Sequence, residues 1–308
     1  MIIGEILLLI LGFAMLVKGA DWFVEGAAGI ASKFGIPQLV VGLTIVAMGT
    51  SAPEAAVSIT AALKGNAGIA VGNVVGSNIL NILIILGLTG LITSVAVQKS
   101  TLFIEIPYML AATGVLLAMG VMGNSINFVE GIIFWVMFII YLGYLFVLAK
   151  KGKSEEEEKE ERPLWKLLLL ALVGGVVVVL GSNFAVDAAT AIAQIIGLSE
   201  KFIGLTIVAL GTSLPELVTS VTAAKKGNAD IAIGNIVGSN IFNILFVLGT
   251  SALIIPITFE PSFAIDTIIA FAAGVLLWIA TIGKKKLTRP WGIFMVVCYA
   301  AYFVYLLR

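Results

Sequence analysis

The chain is a succession of apolar runs, each about 20 residues long, which is the length that a helix needs to cross the hydrocarbon core of a bilayer. Hydrophobic residues make up 60% of the 308 residues and charged residues only 12%, which is too little charge for the surface of a soluble protein. A membrane β-strand would instead show about ten residues of alternating polarity. The sequence therefore predicts an all-α membrane protein with ten transmembrane helices, near residues 3–24, 37–63, 69–95, 101–121, 126–149, 164–190, 201–224, 231–256, 263–282 and 289–307.

The first of these runs has some features of a secretory signal peptide. Glu5 stands where a signal would carry basic residues, and no small-residue cleavage site follows the run. Its charged end also matches that of the run that ends near Asp187. We therefore expect a retained first helix.

Two residue types that carry much of protein chemistry are scarce. The sequence has no histidine and a single cysteine, Cys298, which excludes a disulfide framework and any multi-cysteine metal site. Zinc, haem and histidine-based acid–base chemistry are also disfavoured. We expect no enzymatic activity, no cofactor, no nucleic-acid binding and no obligatory protein partner. The expected partners are inorganic cations and the lipid bilayer.

The second half of the chain repeats the first at an offset of 162 residues. Residues 42–54 match residues 204–216 at eleven of thirteen positions, and residues 64–82 match residues 226–244 at fifteen of nineteen. Two such matches at one offset indicate a duplicated unit of five helices. The predicted division is a first repeat (1–149, motifs at 42–82), a charged linker (150–163) and a second repeat (164–308, motifs at 204–244).

Because five is an odd number, the second repeat must enter the membrane from the opposite side. Lysine and arginine collect in cytoplasmic loops. With the amino terminus outside, fourteen of them fall in inner segments and three in outer segments. We therefore expect a protein of the prokaryotic cytoplasmic membrane, with both termini outside and the linker in the cytoplasm. Inverted repeats with broken helices around a midplane site are common in secondary transporters.

The linker carries a run of four glutamates at residues 155–158. A block of like charges repels itself and is typical of a solvated loop. A calcium-sensing role for this acidic run is the alternative. The linker is too short for a folded regulatory domain.

A carboxylate, two hydroxyls and a proline interrupt the second apolar run, in the stretch Gly-Thr-Ser-Ala-Pro-Glu at 49–54. An ionisable group in mid-membrane indicates a functional site. Pro53 lacks the amide that would bond the Gly49 carbonyl, so the helix should be kinked or broken there. Four residues of this run share one helical face and predict an all-oxygen cage: Ala47, Thr50, Ser51 and Glu54.

The third apolar run supplies another wall, with polar residues at i, i+4 and i+8: Asn73, Ser77 and Asn81. Inversion of the repeats should bring Glu54 opposite Glu216 near the bilayer centre. Hard oxygen ligands with two carboxylates suit one Ca²⁺ or two Na⁺, and fit Mg²⁺ less well. The second repeat carries the same residue types as the first at Ala209, Thr212, Ser213, Glu216, Ser239 and Asn243.

Several of the polar residues also have a purely structural interpretation. A single Gly-Thr-Ser or Gly-Ser-Asn pattern is often only a packing device between helices. Four asparagines are suited either to hydrogen-bond exposed backbone or to contact an ion: Asn73, Asn78, Asn235 and Asn240. An interfacial position is expected for five acidic residues near the ends of runs: Asp21, Glu25, Glu105, Glu130 and Asp187.

The repeated motifs resemble those of the calcium/cation antiporter superfamily, and specifically those of the prokaryotic sodium/calcium exchangers. The resemblance is carried by Gly-Thr-Ser-Ala-Pro-Glu at 49–54 and Gly-Asn-Val-Val-Gly-Ser-Asn at 72–78, and by their second copies at 211–216 and 234–240. Through the number of runs and the central linker it extends over the whole chain. It implies a ten-helix antiporter that exchanges Na⁺ for Ca²⁺ by alternating access, with helices one and six sliding against the other eight.

Mapped onto this sequence, the resemblance implies a ligand set at a shared ion site. Some relatives carry aspartate at the position of Asn81 or Asn243, and asparagine at both positions here disfavours potassium co-transport. A Ca²⁺/H⁺ antiporter, disfavoured because a further glutamate is missing from the second motif, and a cation channel remain the alternatives. The implied ligands are Ala47, Thr50, Ser51, Glu54, Ser77, Asn81, Ala209, Thr212, Ser213, Glu216, Ser239 and Asn243.

Overall fold

The structure is a computed structural model that describes residues 2–65, 67–151, 161–197 and 209–306, and these residues are almost entirely helical. Within them, eight helical segments are long and apolar enough to cross a bilayer, and one bent pair makes a ninth. The prediction of an all-α membrane protein is therefore confirmed. The glutamate run of the predicted linker and the start of the predicted span 201–224 lie outside the described residues.

Two long helices pack against each other along their length: α1 (Ile2–Phe34) and α9 (Leu164–Ile195). Each has more than 30 residues and is therefore about 50 Å long. The hydrocarbon core is only about 30 Å thick, so both helices must tilt or project from it. This is why α1 extends ten residues beyond the predicted end at residue 24.

The second predicted span is broken, as the proline predicts. It consists of α2 (Gln38–Val41), a π-helical turn π1 (Gly42–Val46), α3 (Ala47–Thr50) and α4 (Ala52–Leu63), and it bends by 51°. Ser51 stands at the break with φ −81° and ψ 8°. The second repeat has the same break at Ser213, between α10 (Ala209–Thr212) and α11 (Leu214–Lys225).

Two further spans form the centre of the protein. The first comprises α5 (Ala67–Leu80), π2 (Asn81–Leu86) and α6 (Gly87–Ile92); the second comprises α12 (Ala229–Phe242), π4 (Asn243–Leu248) and α13 (Gly249–Ile254). In the second span, 94% of the most apolar 18-residue stretch is buried inside the protein, whereas the corresponding share for α1 is 17%. These central helices carry the Gly-Ser-Asn motifs, and they pack against the broken helices.

The remaining spans lie at the periphery and expose large apolar side chains, as expected next to lipid. They are π3 (Thr101–Glu105) with α7 (Ile106–Gly123), α8 (Phe128–Lys151), α14 (Pro261–Ile282) and α15 (Arg289–Leu306).

Short antiparallel strand pairs, which the sequence did not predict, join the loops between these spans. β1 (Val95–Ala96) pairs with β4 (Lys286–Leu287), and β2 (Ser125–Ile126) pairs with β3 (Ile257–Thr258). Each pair joins one loop of the first half to one loop of the second.

The backbone of the two halves breaks at equivalent positions. Gly35 and Gly197 have φ values of +63° and +85°, and Gly65 and Gly227 have φ values of +80° and +84°. The members of each pair are 162 positions apart. Each glycine follows a helix and occupies the left-handed region that other residues rarely adopt. The repeat seen in the sequence therefore extends to the points at which helices end.

Candidate ion-binding site

The two glutamates of the repeated motifs, Glu54 and Glu216, are held by hydroxyls of the opposite repeat. Ser51 Oγ donates a hydrogen bond of 2.8 Å to Glu216 Oε1, and Ser213 Oγ donates one of 3.2 Å to Glu54 Oε1. Thr50 also lies within reach of Glu216, as Thr212 does of Glu54. The breaks at Ser51 and Ser213 turn these hydroxyls across the interface. The two repeats therefore orient each other's carboxylate.

Four oxygen atoms around this point are buried without a hydrogen-bond partner: Glu54 Oε2, Glu216 Oε2, Asn81 Oδ1 and Asn243 Oδ1. Both glutamates are at most 1% exposed, and their charges repel each other. The ion pairs found in the described part of the chain include neither glutamate. Because buried acceptors normally have a partner, these four oxygens indicate a place for cationic ligands.

The carbonyl oxygen of Ala47 lies at the contact between α3 and α12. It accepts hydrogen bonds from Ser239 Oγ at 3.3 Å and from Thr50 Oγ1 at 3.4 Å. Thr50 Oγ1 also lies 3.0 Å from Asn235 Oδ1. Of the other predicted ligands, Ser77 is buried in α5 and Ala209 begins α10. Residues from four interrupted helices therefore converge on one buried polar region.

Two asparagines form hydrogen bonds to the helices that carry Glu54 and Glu216. Asn73 Nδ2 donates to the Glu54 carbonyl at 3.2 Å and to Ser58 Oγ at 2.9 Å. Asn235 Nδ2 donates to the Glu216 carbonyl at 3.4 Å and to Ser220 Oγ at 2.9 Å. These bonds favour the structural interpretation of both asparagines, because the amide groups are engaged by backbone and serine.

Another asparagine pair joins the two central helices. Asn78 Nδ2 donates to the Asn240 carbonyl at 3.1 Å, and Asn240 Nδ2 donates to the Asn78 carbonyl at 3.2 Å. The side-chain oxygens of this pair accept bonds from Asn81 at 2.9 Å and from Asn243 at 3.2 Å. The amide nitrogens of Asn81 and Asn243 are thereby fixed, and their oxygens are left open.

Comparison with known proteins shows which family this chain belongs to. The sodium/calcium exchanger protein family matches residues 4–147 and again residues 166–308. The chain belongs to the sodium/calcium exchanger family. It is 33% identical over 349 residues to the sodium/calcium exchanger MaX1 of Methanosarcina acetivorans, with 99% of each chain covered. It is also 36% identical over 291 residues to the inner membrane protein YrbG of Escherichia coli, with 88% of each covered.

Solved structures of a related exchanger have the same fold as this chain. Structures of the sodium-calcium exchanger NCX_Mj, obtained with Na⁺, Sr²⁺ or Ca²⁺, match with TM-scores of 0.86 to 0.87 at 32% identity. The match covers 99% of both chains. The predicted resemblance to the calcium/cation antiporters is thus confirmed.

A cavity of about 420 Å³ lies next to the candidate ion-binding site. It is bounded by Pro53 on α4, by Thr212 on α10 and by Asn183 and Asp187 on α9. Thr212 is both a predicted ligand and part of the cavity wall. The cavity therefore reaches one of the residues predicted to bind the ion.

Three serines that hydrogen-bond the residues around the site were not predicted from the sequence. Ser58 and Ser220 accept the bonds of the supporting asparagines, and they stand four residues after the two glutamates at the repeat offset. That spacing was a usable signal. Ser182 Oγ donates to the Gly211 carbonyl at 2.7 Å, next to the break in the second repeat. It has no serine counterpart in the first repeat, where Ala20 occupies the position.

Proposed function

We propose that this protein is a secondary active antiporter that exchanges Na⁺ for Ca²⁺ across the cytoplasmic membrane. Both ions use one oxygen cage at the membrane midplane, which opens alternately to each side. The cations are transported substrates, and the protein needs no cofactor and performs no enzymatic reaction.

The observation that carries this proposal is the crossed pair of carboxylates. Glu54 and Glu216 place two negative charges in one buried region, each with an oxygen that lacks a hydrogen-bond partner. One Ca²⁺ balances both charges, and so do two Na⁺. Because the same charges cannot be balanced twice, the two kinds of ion exclude each other, which is the requirement for exchange.

The proposed ligands are the oxygens that converge on this region. Ala47 and Ala209 would contribute carbonyl groups, and the asparagines would contribute their open side-chain oxygens. An oxygen-only cage with flexible geometry suits Ca²⁺. The full proposed set is Ala47, Thr50, Ser51, Glu54, Ser77, Asn81, Ala209, Thr212, Ser213, Glu216, Ser239 and Asn243.

The proposed architecture is ten helices in two inverted repeats of five, at residues 1–149 and 164–308, joined by the cytoplasmic linker 150–163. The two separate matches to the family support the duplication. The strand pairs support the inversion, since β1 pairs with β4 at loops that the lysine distribution places inside, and β2 pairs with β3 at loops placed outside. Both termini are outside in this arrangement.

Alternating access would come from sliding of α1 and α9 against the rest of the protein. Glycines at the contact between these two helices support their movement as one unit, because small residues let the backbones approach closely. A Cβ atom at Gly26 would lie 2.4 Å from the amide nitrogen of Ala171, and one at Gly174 would lie 2.4 Å from that of Phe23.

The experiment is Na⁺-gradient-driven ⁴⁵Ca²⁺ uptake into proteoliposomes. Glu54→Gln and Glu216→Gln each remove one charge with little change in shape, and each should abolish uptake. Glu130→Gln is the control, since Glu130 lies at the exposed start of α8 and its carboxylate accepts a bond from the Asn127 amide. Normal uptake by both site variants would refute the assignment.

The same vesicles distinguish the coupling ion. A Na⁺ gradient should drive uptake, whereas pH and K⁺ gradients alone should not. The open amide oxygens of Asn81 and Asn243 favour Na⁺ over protons, because an amide does not carry a proton at physiological pH. Uptake driven by a pH gradient without Na⁺ would indicate a Ca²⁺/H⁺ antiporter. Uptake without any counter-ion, together with single-channel currents, would indicate a channel.

A further inference from the structure

A second buried carboxylate, Glu105, lies outside the proposed ion site. Its position near the start of a span predicts a location at the membrane interface. In the structure it is 0% exposed, at the end of the π-helical turn π3 and against α8. Glu105 is therefore buried against another helix of the protein and does not lie on its exposed surface.

The surroundings of Glu105 are hydroxyl groups. Tyr144 on α8 donates its phenolic hydrogen to Glu105 Oε1. Tyr141 and Thr101 are close enough to interact electrostatically with the carboxylate. Tyr108 stacks on Tyr141 with ring centroids 5.5 Å apart and donates to the Met137 carbonyl at 2.6 Å. The cluster therefore joins the turn before α7 to α8.

Three atoms of this cluster are buried without a hydrogen-bond partner: Glu105 Oε2, Thr101 Oγ1 and Tyr141 Oη. Thr101 is 0% exposed and Tyr141 is 2% exposed. An ionised carboxylate in such a place is costly unless it is paired. The ion pairs in the described residues do not include Glu105. One proton on Oε2 would neutralise the charge.

The cluster is repeated only in part in the second half: Tyr302 on α15 donates to Asp266 on α14, each one position before the residue that corresponds to Tyr141 or Glu105. The positions 162 residues after Thr101, Glu105 and Tyr141 are Phe263, Thr267 and Phe303. A group required for the symmetric transport site would be expected in both halves, as the two mid-membrane glutamates are. Glu105 therefore serves something other than ion coordination at the midplane.

We propose that Glu105 is a proton-binding site, separate from the transported-ion site, that makes the exchanger sensitive to pH. A proton from the aqueous phase binds Oε2 and neutralises the carboxylate; release of the proton reverses the step. No electrons move and no other bond changes. The titratable groups that face Glu105 are the phenols of Tyr141 and Tyr144, with Tyr108 behind them. From α14, Trp278 reaches the neighbouring Leu102 carbonyl at 2.8 Å.

The site is connected to the ion cage by packing. Helix α7, which continues the turn that ends at Glu105, contacts α12 and π4. Those two elements carry Ser239 and Asn243 of the proposed cage. Movement of α7 on proton binding would therefore reach two proposed ligands.

The test is infrared difference spectroscopy of the reconstituted full chain on a change of pH, in the Glu54→Gln/Glu216→Gln background so that the transport carboxylates do not contribute. We expect the carbonyl band of a buried carboxylic acid, and its loss on adding Glu105→Gln. Asp266→Asn is the matched control: Asp266 also accepts a bond from a tyrosine, Tyr302, at 3.0 Å, but it is only partly buried. The control should keep the band.

A second variant keeps the carboxyl group in case Glu105→Gln does not fold. Tyr144→Phe removes the hydrogen bond to Oε1, so the band should remain and shift in frequency. A second measurement uses the chain with an intact ion site and compares the pH dependence of ⁴⁵Ca²⁺ uptake. Asp266→Asn should keep the pH dependence of the unaltered protein, and Glu105→Gln should lose part of it. A band unaffected by both Glu105→Gln and Tyr144→Phe would overturn the proposal, and so would superimposable pH profiles. Failure of Na⁺-driven exchange itself would leave the infrared result unchanged.

Discussion

Ser51 Oγ lies 2.8 Å from Glu216 Oε1, so a hydroxyl at the break in one repeat holds the carboxylate of the other. The reciprocal bond from Ser213 to Glu54 is longer, at 3.2 Å. Each carboxylate therefore has one engaged oxygen and one open oxygen. A cation at the open oxygens would be bound by both repeats at once, which links its binding to the packing of the two halves.

Removing the Ser51 hydroxyl should weaken ion binding. A hydrogen bond to a charged group contributes about 1.5–3 kcal/mol, which corresponds to roughly a tenfold to hundredfold change in affinity. We expect Ser51→Ala to raise the Ca²⁺ concentration for half-maximal uptake by about tenfold or more, and Ser213→Ala to have a smaller effect because its bond is longer. Ser94→Ala, in the loop before β1, is the control. Unchanged Ca²⁺ dependence in both site variants would show that these hydroxyls do not orient the carboxylates.

The asparagine pair Asn78 and Asn81 should separate stability from ion binding. Asn78→Ala removes a donor to the Asn240 carbonyl and the acceptor of Asn243, leaving buried groups unpaired at a cost of about 1–3 kcal/mol. It should lower the melting temperature in the absence of ions while keeping the rise caused by Ca²⁺. Asn81→Ala removes an open oxygen and should reduce that rise, because a ligand that binds more weakly stabilises the folded state less. The reverse pattern would assign the ion contact to Asn78.

Much of this site was predictable because the sequence is repeated. Pro53 predicts a broken helix, and the structure bends there by 51°. The offset of 162 residues also predicted that Glu54 and Glu216 would face each other. The two like charges repel each other. This repulsion arises only when the two halves pack together, so neither repeat predicts it alone.

The details that were not predictable depend on contacts between the halves. The single-face pattern placed Ser51 beside Glu54 on one helix, whereas the break turns Ser51 towards Glu216. Nothing local in the sequence distinguishes the π-helical turns that begin at Asn81 and Asn243 from ordinary helix. The burial of Glu105 was missed because its partners, Tyr141 and Tyr144, come from another helix. Hydrophobic periodicity does not report such pairings.

Adding a methyl group at the contact between α1 and α9 should impair the protein. The added Cβ of Gly174→Ala would meet the Phe23 amide nitrogen at 2.4 Å, and backbone atoms cannot move aside as a side chain can. We expect a loss of about 1–3 kcal/mol from overpacking, a lower melting temperature and slower exchange. Gly143→Ala is the same change at a helical position with open space around it, and should be neutral or stabilising by up to about 1 kcal/mol. Equal behaviour of the two variants would exclude a close α1–α9 contact.

The ion pairs that Asp21 and Glu25 of α1 make with other segments should affect the direction in which the transporter faces. Lys226 lies in the turn after α11, and its Nζ is 2.5 Å from Asp21 Oδ1 and 3.0 Å from the Asp21 carbonyl. Arg162 pairs with Glu25 one helical turn further along. These bonds tie α1 to the rest of the protein on the side that the lysine distribution places in the cytoplasm.

We expect Lys226→Met to leave the melting temperature nearly unchanged, because partly exposed ion pairs contribute less than about 1 kcal/mol. The same energy changes the ratio of two conformations about fivefold, so the Ca²⁺ dependence of exchange should shift in opposite directions when it is measured from the two sides of oriented vesicles. Lys18→Met is the matched control, since Lys18 pairs with Asp21 at 3.2 Å within the same helix and ties no two elements together. High salt should reproduce the effect of Lys226→Met in the unaltered protein. Equal shifts on both sides, or an equal effect of Lys18→Met, would mean that the Lys226 contact does not hold α1 in place.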